Sequence, residues 1–300
     1  MTKNVIKYAG VISLGCIALA GTLALSGCGE SDSVTTKTVD YCTTANVEKM
    51  DFTYTDRDTS AKYSDNVVNV DLDGNISGDG VQKNGDNVEI TKEATYVLKG
   101  SLSGQVVVNA NDAKVQIVLD NADINAKNGS AIYVKDAKKA FITLADGSEN
   151  NISDSTSYNG VDDGVDSAIY SKDDLTINGN GTLNVSGKYN HGIACKDDLL
   201  LCGGTINVSA ERDGIRGKDC VKINGSTINC DVNDDAIVAT DSNEDDKGYV
   251  SIDAGKITAT CFGKGIVGQT YVRLQDGSAD VTSTDDGIHC NVRVDVNGGS

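Results

Sequence analysis

The chain has 300 residues, enough to bury a sizeable core, and contains 33 glycines, no proline and no tryptophan. Its 26 basic and 44 acidic residues leave a formal charge of −18, which argues against nucleic acid and anionic membrane as direct ligands and favours cations, or ligands reached through cations. The lack of proline suits a fold in which nearly every backbone N–H is used between strands, and the lack of tryptophan weakens any function built on broad aromatic platforms.

Residues 1–28 read as an export signal: Lys3 and Lys7, an apolar stretch over 11–25 too short for a confident span, then Leu25-Ser26-Gly27-Cys28. That ending is the pattern of a bacterial lipoprotein, a small-residue cleavage site before a thiol that accepts lipid, here Cys28. The reading expects an exported protein anchored to the outer face of the cell membrane by that lipid alone. Residues 29–50 are polar and rich in Ser and Thr, fitting a flexible tether. Seven further cysteines match no zinc spacing; Cys195 and Cys290 stand where other repeats carry Ser171, Gly217 and Ala239, so they read as small buried hydrophobes.

From about residue 51 the pattern is alternating apolar residues between Gly, Asn and Asp turns, with no convincing helical period. Ile193, Ile215 and Ile237 lie 22 residues apart, as do Ile266 and Ile288. Apolar pairs recur six and eight residues after each isoleucine (Leu199 and Leu201, Val221 and Ile223), and again near thirteen and fifteen (Ile206 and Val208, Ile228 and Cys230). Two-residue spacing puts each pair on one face of a strand. A coil of about 22 residues with three short strands is the signature of a right-handed parallel β-helix, whereas a propeller blade needs about 40–50. The gap of 29 between Ile237 and Ile266 places an insert in the acidic loop 241–248. The last coil runs from Asp286 to Ser300 and stops after its second strand, which suggests a fragment.

The most charged repeated positions lie two and three residues before the isoleucine: Asp213, Asp235 and Asp286 at one, Asp166, Asp234 and Asp285 at the other, with Glu211 nearby. In a β-helix these fall at one corner, so consecutive coils bring carboxylates within a few ångströms. Two like charges about 5 Å apart repel by about 3 kcal/mol at an effective dielectric near 20. Calcium would offset that with hard oxygen ligands; a solvated Asp-Gly bend is the competing reading. Arg216 and Lys264 stand beside this corner, able to contact an anionic ligand or to neutralise the acids. A second ladder, Lys172-Asp173, Lys196-Asp197 and Lys218-Asp219, extended by Asp174 and Asp198, carries its own lysines and reads as structural turns. No Ser-His-Asp set is present, and His191 and His289 lie in distant coils.

The segments SAIYSKDDLTINGNGTLNV (167–185), HGIACKDDLLLCGGTINVSA (191–210) and DGIRGKDCVKINGSTINC (213–230) resemble the bacterial carbohydrate-binding domain family of calcium-dependent β-helix proteins, and residues 94–110 and 115–154 follow the same pattern. The resemblance covers about residues 51–300. It implies a pectate-lyase-like architecture and non-catalytic binding of acidic, pectin-type polysaccharide with bound calcium, with Asp213, Asp234, Asp235, Asp285 and Asp286 as metal positions. Bridging calcium would reverse the local sign of a chain that otherwise repels polyuronate. With no tryptophan, stacking on neutral sugar faces is the weaker route, and Tyr170, Tyr189 and Tyr271 are its candidates. Two alternatives stay open: a lyase in which Lys218 or Arg216 is the base, and a structural adhesin or spacer.

Overall fold

The computed structural model describes residues 42–63, 67–74 and 76–300; the expected leader, Cys28 and the first part of the expected tether lie outside the described residues. After an antiparallel meander over residues 77–90, strands stack in parallel, coil on coil, completing an 11-stranded and a 12-stranded sheet. The isoleucines stack as their spacing implies: Ile169 pairs with Ile193, Ile193 with Ile215, Ile215 with Ile237, Ile237 with Ile266 and Ile266 with Ile288. The 29-residue gap is absorbed before Tyr249, which pairs with Cys220 and restores Ile228 opposite Ile257.

The chain forms a parallel β-helix, with one refinement. In four coils the second and third strands run on as single bent strands, Leu175–Gly187, Asp198–Ala210, Cys220–Val232 and Tyr249–Cys261. Glycine makes the bend. Gly203 and Gly255 have φ of 112° and 125°, and a Cβ at either would lie 2.7 Å and 2.5 Å from a carbonyl of the rung below, Gly179 and Ser226 respectively. A side chain is excluded there both by conformation and by space.

Inward residues form one continuous apolar column, in which Ile193, Ile215, Ile237 and Ile266 are fully buried. Cys195 and Cys230 belong to it, and the seven described cysteines are free thiols. Cys290, in the last coil, is half-buried.

Residues 42 and 46 bond to the 241–248 loop and residues 50–58 lie on the outside of the long strands, so 42–50, expected as tether, and 51–58, expected as strand pattern, form one docked segment. Met50 is buried with Tyr249 and Tyr271, and Phe52 meets both tyrosines edge-on. Lys222 donates to the carbonyls of Asp51 and Thr53 at 3.0 and 3.1 Å. A single helical turn, Asp56–Thr59, follows an N-cap at Thr55 with a reciprocal capping box to Asp58. This turn has no helical period in the sequence because one turn is too short to show one. Asp58 is buried, bonded to Lys139 at 2.8 Å and to the Thr176 hydroxyl at 2.7 Å.

Candidate functional site

The corner before strands Ile215–Gly217 and Ile237–Ala239 brings Asp213, Asp234 and Asp235 together, each offering an oxygen within 4.8 Å of the others. The in-register stacking of Ile215 on Ile237 sets this, because residues just before paired isoleucines must also stack. Asp213 is buried and accepts from Arg216 Nη1 at 2.7 Å. His191 Nδ1 accepts the Asp213 backbone N–H at 3.2 Å, and its Nε2 lies 3.5 Å from Asp166. Asp235 accepts the Lys264 backbone N–H at 2.7 Å. Burial pushes the Asp235 carboxyl above its ordinary range; the Lys264 N–H opposes the shift, while the charges of Asp213 and Asp234 add to it. Asp234 pairs with exposed Arg212 at 3.2 Å.

The remaining expected ligands stand apart from this group. Asp285 pairs with Lys264 Nζ at 2.8 Å and Asp286 with His289 Nδ1 at 2.8 Å. The reason lies in the register: the coil between Asp235 and Asp286 carries Lys264 at the matching position, so an ammonium interrupts the carboxylate ladder. Glu211 is exposed, with the Asn233 amide 3.5 Å away, outside the cluster. Of the three tyrosines expected to meet sugar, Tyr170 and Tyr271 are buried and Tyr189 is exposed, stacked on Tyr158 at 4.3 Å.

A second carboxylate group lies where the sequence suggested self-neutralised turns. Asp174, Asp197 and Asp198 also converge within 4.8 Å. The lysines beside them point elsewhere: Lys172 to Asp162 at 3.1 Å and Lys196 over the Tyr170 ring. Burial pushes Asp197 up to about 7, aided by a hydrogen bond with Asp219 and the charges of Asp174 and Asp198. Burial also raises Asp174. Asp219 is held below the ordinary range against its burial, by Lys247, Asp197 and Lys218. The available signal was the Asp-Asp doublet at 173–174 and 197–198, where the second acid has no lysine of its own.

Both groups consist of carboxylate oxygens with no soft donor, the donor set of a hard cation such as calcium. Lys218 is bonded to Asp219 at 3.1 Å and Asp241 at 3.3 Å. The Asp219 hydrogen bond raises its ammonium above the ordinary lysine value, with burial opposing. Arg216 is engaged with Asp213.

A family model of carbohydrate-binding domain-containing proteins matches residues 84–300. A carbohydrate-binding domain-containing protein of Acetivibrio thermocellus is 34% identical over 196 residues, which are 63% of this chain and 62% of that relative. The chain therefore matches less than two thirds of that relative's length. The structure of a polysaccharide lyase-like protein from C. thermocellum, a gadolinium derivative, superposes with a TM-score of 0.74 at 30% identity, covering 78% of this chain and 98% of the other. With most of its β-helix inside the family match, this chain belongs to the family of carbohydrate-binding domain-containing proteins.

Proposed function

We propose that this protein binds acidic, pectin-type polysaccharide through calcium, without cleaving it, at the bacterial cell surface where a lipid on Cys28 holds it. The observation that carries the reading is the convergence of Asp213, Asp234 and Asp235 at one corner, next to Arg216, Arg212 and Lys264. The three carboxylates would hold the ion, and a bound calcium supplies a positive centre for a uronate carboxylate. The basic side chains then partly balance the acids and face the same anionic ligand. Asp174, Asp197 and Asp198 form another oxygen set of the same chemistry. The similarity to a protein described as polysaccharide lyase-like, and crystallised as a derivative of a hard lanthanide cation, is consistent with both parts of the reading.

The lyase-like architecture keeps β-elimination as the second reading. The paired state of its candidate bases weakens it. Lys218 shares two carboxylates and stays protonated, and Arg216 is bonded to Asp213. The deciding experiment is retention of the full chain on immobilised polygalacturonate, with calcium and with EDTA. Retention that EDTA abolishes, with no unsaturated product released, is expected. Retention indifferent to EDTA refutes calcium dependence, and unsaturated product establishes the lyase.

A further inference from the structure

The segment ahead of the first strand crosses six successive rungs. One outward row runs Phe141, Thr176, Leu200, Lys222, Ser251 and Arg273, in register from coil to coil. The segment follows this row over its whole length, roughly 24 Å at ~4.8 Å a rung. Arg273 lies over the Phe52 ring at 3.8 Å, and the Tyr54 hydroxyl donates to Asp253 at 2.7 Å. The helical turn Asp56–Thr59 packs on the strand that carries Leu200. Arg57 lies over the Phe141 ring at 4.2 Å, and Asp58 accepts from Thr176 at 2.7 Å. Lys222 is 2% exposed, and its hydrogen bonds go to the carbonyls of Asp51 and Thr53. A buried ammonium is costly unless hydrogen-bonded, so this rung carries a charge that the docked segment satisfies.

We infer that residues 42–58 form a load-bearing strap, which moves the point where the chain ahead of Cys42 pulls on the β-helix from its first rung to its middle. The chain arrives beside the later coils, where Cys42 and Asn46 bond to Ser242 and Asp245. It then runs back to Phe141 before it enters the strand Val68–Asp71. That strand stands at the end of its sheet, paired with Thr95–Leu102. A coil at the end of a solenoid is held from one side only, so a pull delivered there would unwind the stack rung by rung. The strap intercepts the pull and spreads it over six rungs. Its contacts differ in kind: apolar burial at Met50, a clamped ammonium at Lys222 and an ion pair at Asp58. The strap lies outside residues 84–300, the part that the family model matches, and depends on neither glycan nor calcium. Its use rests on the anchorage proposed at Cys28; the load path itself does not.

The test is force-clamp extension of the full chain in two geometries. In both, one handle sits on exposed Asp231, on the strand that carries Lys222. The other sits either ahead of Cys42 or on exposed Lys62, between the strap and the first strand. Click-reactive side chains carry the handles, because the seven described cysteines are free thiols. Pulling from Lys62 bypasses the strap and should unwind the first coils at low load. Pulling from ahead of Cys42 should hold at that load and fail at a higher one, releasing the chain from 42 to Val68 at up to about 3.6 Å per residue. Forced release is governed by the unfolding rate. Tyr54→Phe, which removes a hydrogen bond to a carboxylate, should therefore shorten the strap's lifetime at fixed load about tenfold. It leaves every β-helix residue in place, so its Lys62 geometry should read as wild type. The inference is overturned if the strap lets go at or below the load that unwinds the first coils from Lys62, or if Tyr54→Phe leaves its lifetime unchanged. Whether Cys28 carries lipid is read separately, by mass, and changes neither load.

Discussion

Replacing Asp235 by Asn tests the charge balance of the carboxylate corner. The side chain keeps its shape, and its Oδ1 can still accept the Lys264 N–H now bonded at 2.7 Å. What disappears is one of three negative charges whose oxygens lie within 4.8 Å. At that separation and an effective dielectric near 20, each like-charged pair costs about 3.5 kcal/mol. Arg216 on Asp213 and Arg212 on Asp234 offset much of this, so a net relief of about 1–2 kcal/mol is expected. In EDTA the variant should therefore melt above wild type, by about 3–6 °C for a domain of this size. Calcium should then separate the two proteins in the opposite direction. Saturation to a hundred times Kd stabilises a binding-competent protein by about 2.7 kcal/mol, and the variant should lose most of that increment. The assay is thermal unfolding in EDTA and across a calcium titration. A variant that is no more stable than wild type in EDTA, or that keeps the full calcium increment, refutes the reasoning.

Four further outcomes follow from buried groups. Asp58→Ala strands the ammonium of Lys139, bonded at 2.8 Å and mostly buried, so the 55–59 segment should lose about 3 kcal/mol of local protection by hydrogen exchange, with Lys139→Met restoring part of it; a loss below about 1 kcal/mol would contradict the pairing. Burial opposes the charge of Asp58, but Lys139, Thr55 and Thr176 hold its carboxyl at about 2 against the usual 3.8. Its contribution of about 2 kcal/mol should be complete above pH 4 and fade as pH falls through 2, in wild type and not in Asp58→Asn. Asp197 has the opposite sign: its folded value near 7 lies above the ordinary carboxylate range, so its contribution is greatest at acid pH and is lost as pH rises through 7. Urea unfolding at pH 5 and pH 8 without calcium should show that slope, and Asp197→Asn should flatten it. Burial pushes the Cys202 and Cys230 thiols up to about 12, so of the seven described cysteines a thiol reagent at neutral pH should label half-buried Cys42 and Cys290. Labelling of Cys230 before unfolding would show that the apolar column opens.

Much of the β-helix could be read from spacing, because a rung side chain is buried by its neighbours directly above and below. Ile215 must therefore recur in register at Ile237, and the insert before Tyr249 must loop out instead of shifting the strands. The corner acids Asp213 and Asp235 inherit that register. Glu211, Asp285 and Asp286 were less legible. Their places depend on which partner a side chain reaches, and Lys264 divides the row. The convergence of the acids at 174, 197 and 198 was not legible for the same reason, since adjacent lysines in sequence turned to other partners in space.

The docking of segment 42–60 had no signal in the sequence. Its hold on the long strands comes from contacts more than a hundred residues apart, Asp58 with Thr176 and Tyr54 with Asp253, and no local pattern encodes such a contact. The amide ladder of Asn151, Asn184, Asn207 and Asn229, on matched positions of four successive rungs, lies between these cases. The asparagines recur visibly in the sequence, but only stacking turned their side chains outward and linked them across rungs. By itself the sequence determined the coil length, the apolar column and the rows of the repeat, since all three follow from the periodicity of burial. Tertiary structure alone decided which charges meet, which lysines neutralise them and which face stays open, because those depend on side-chain reach between coils.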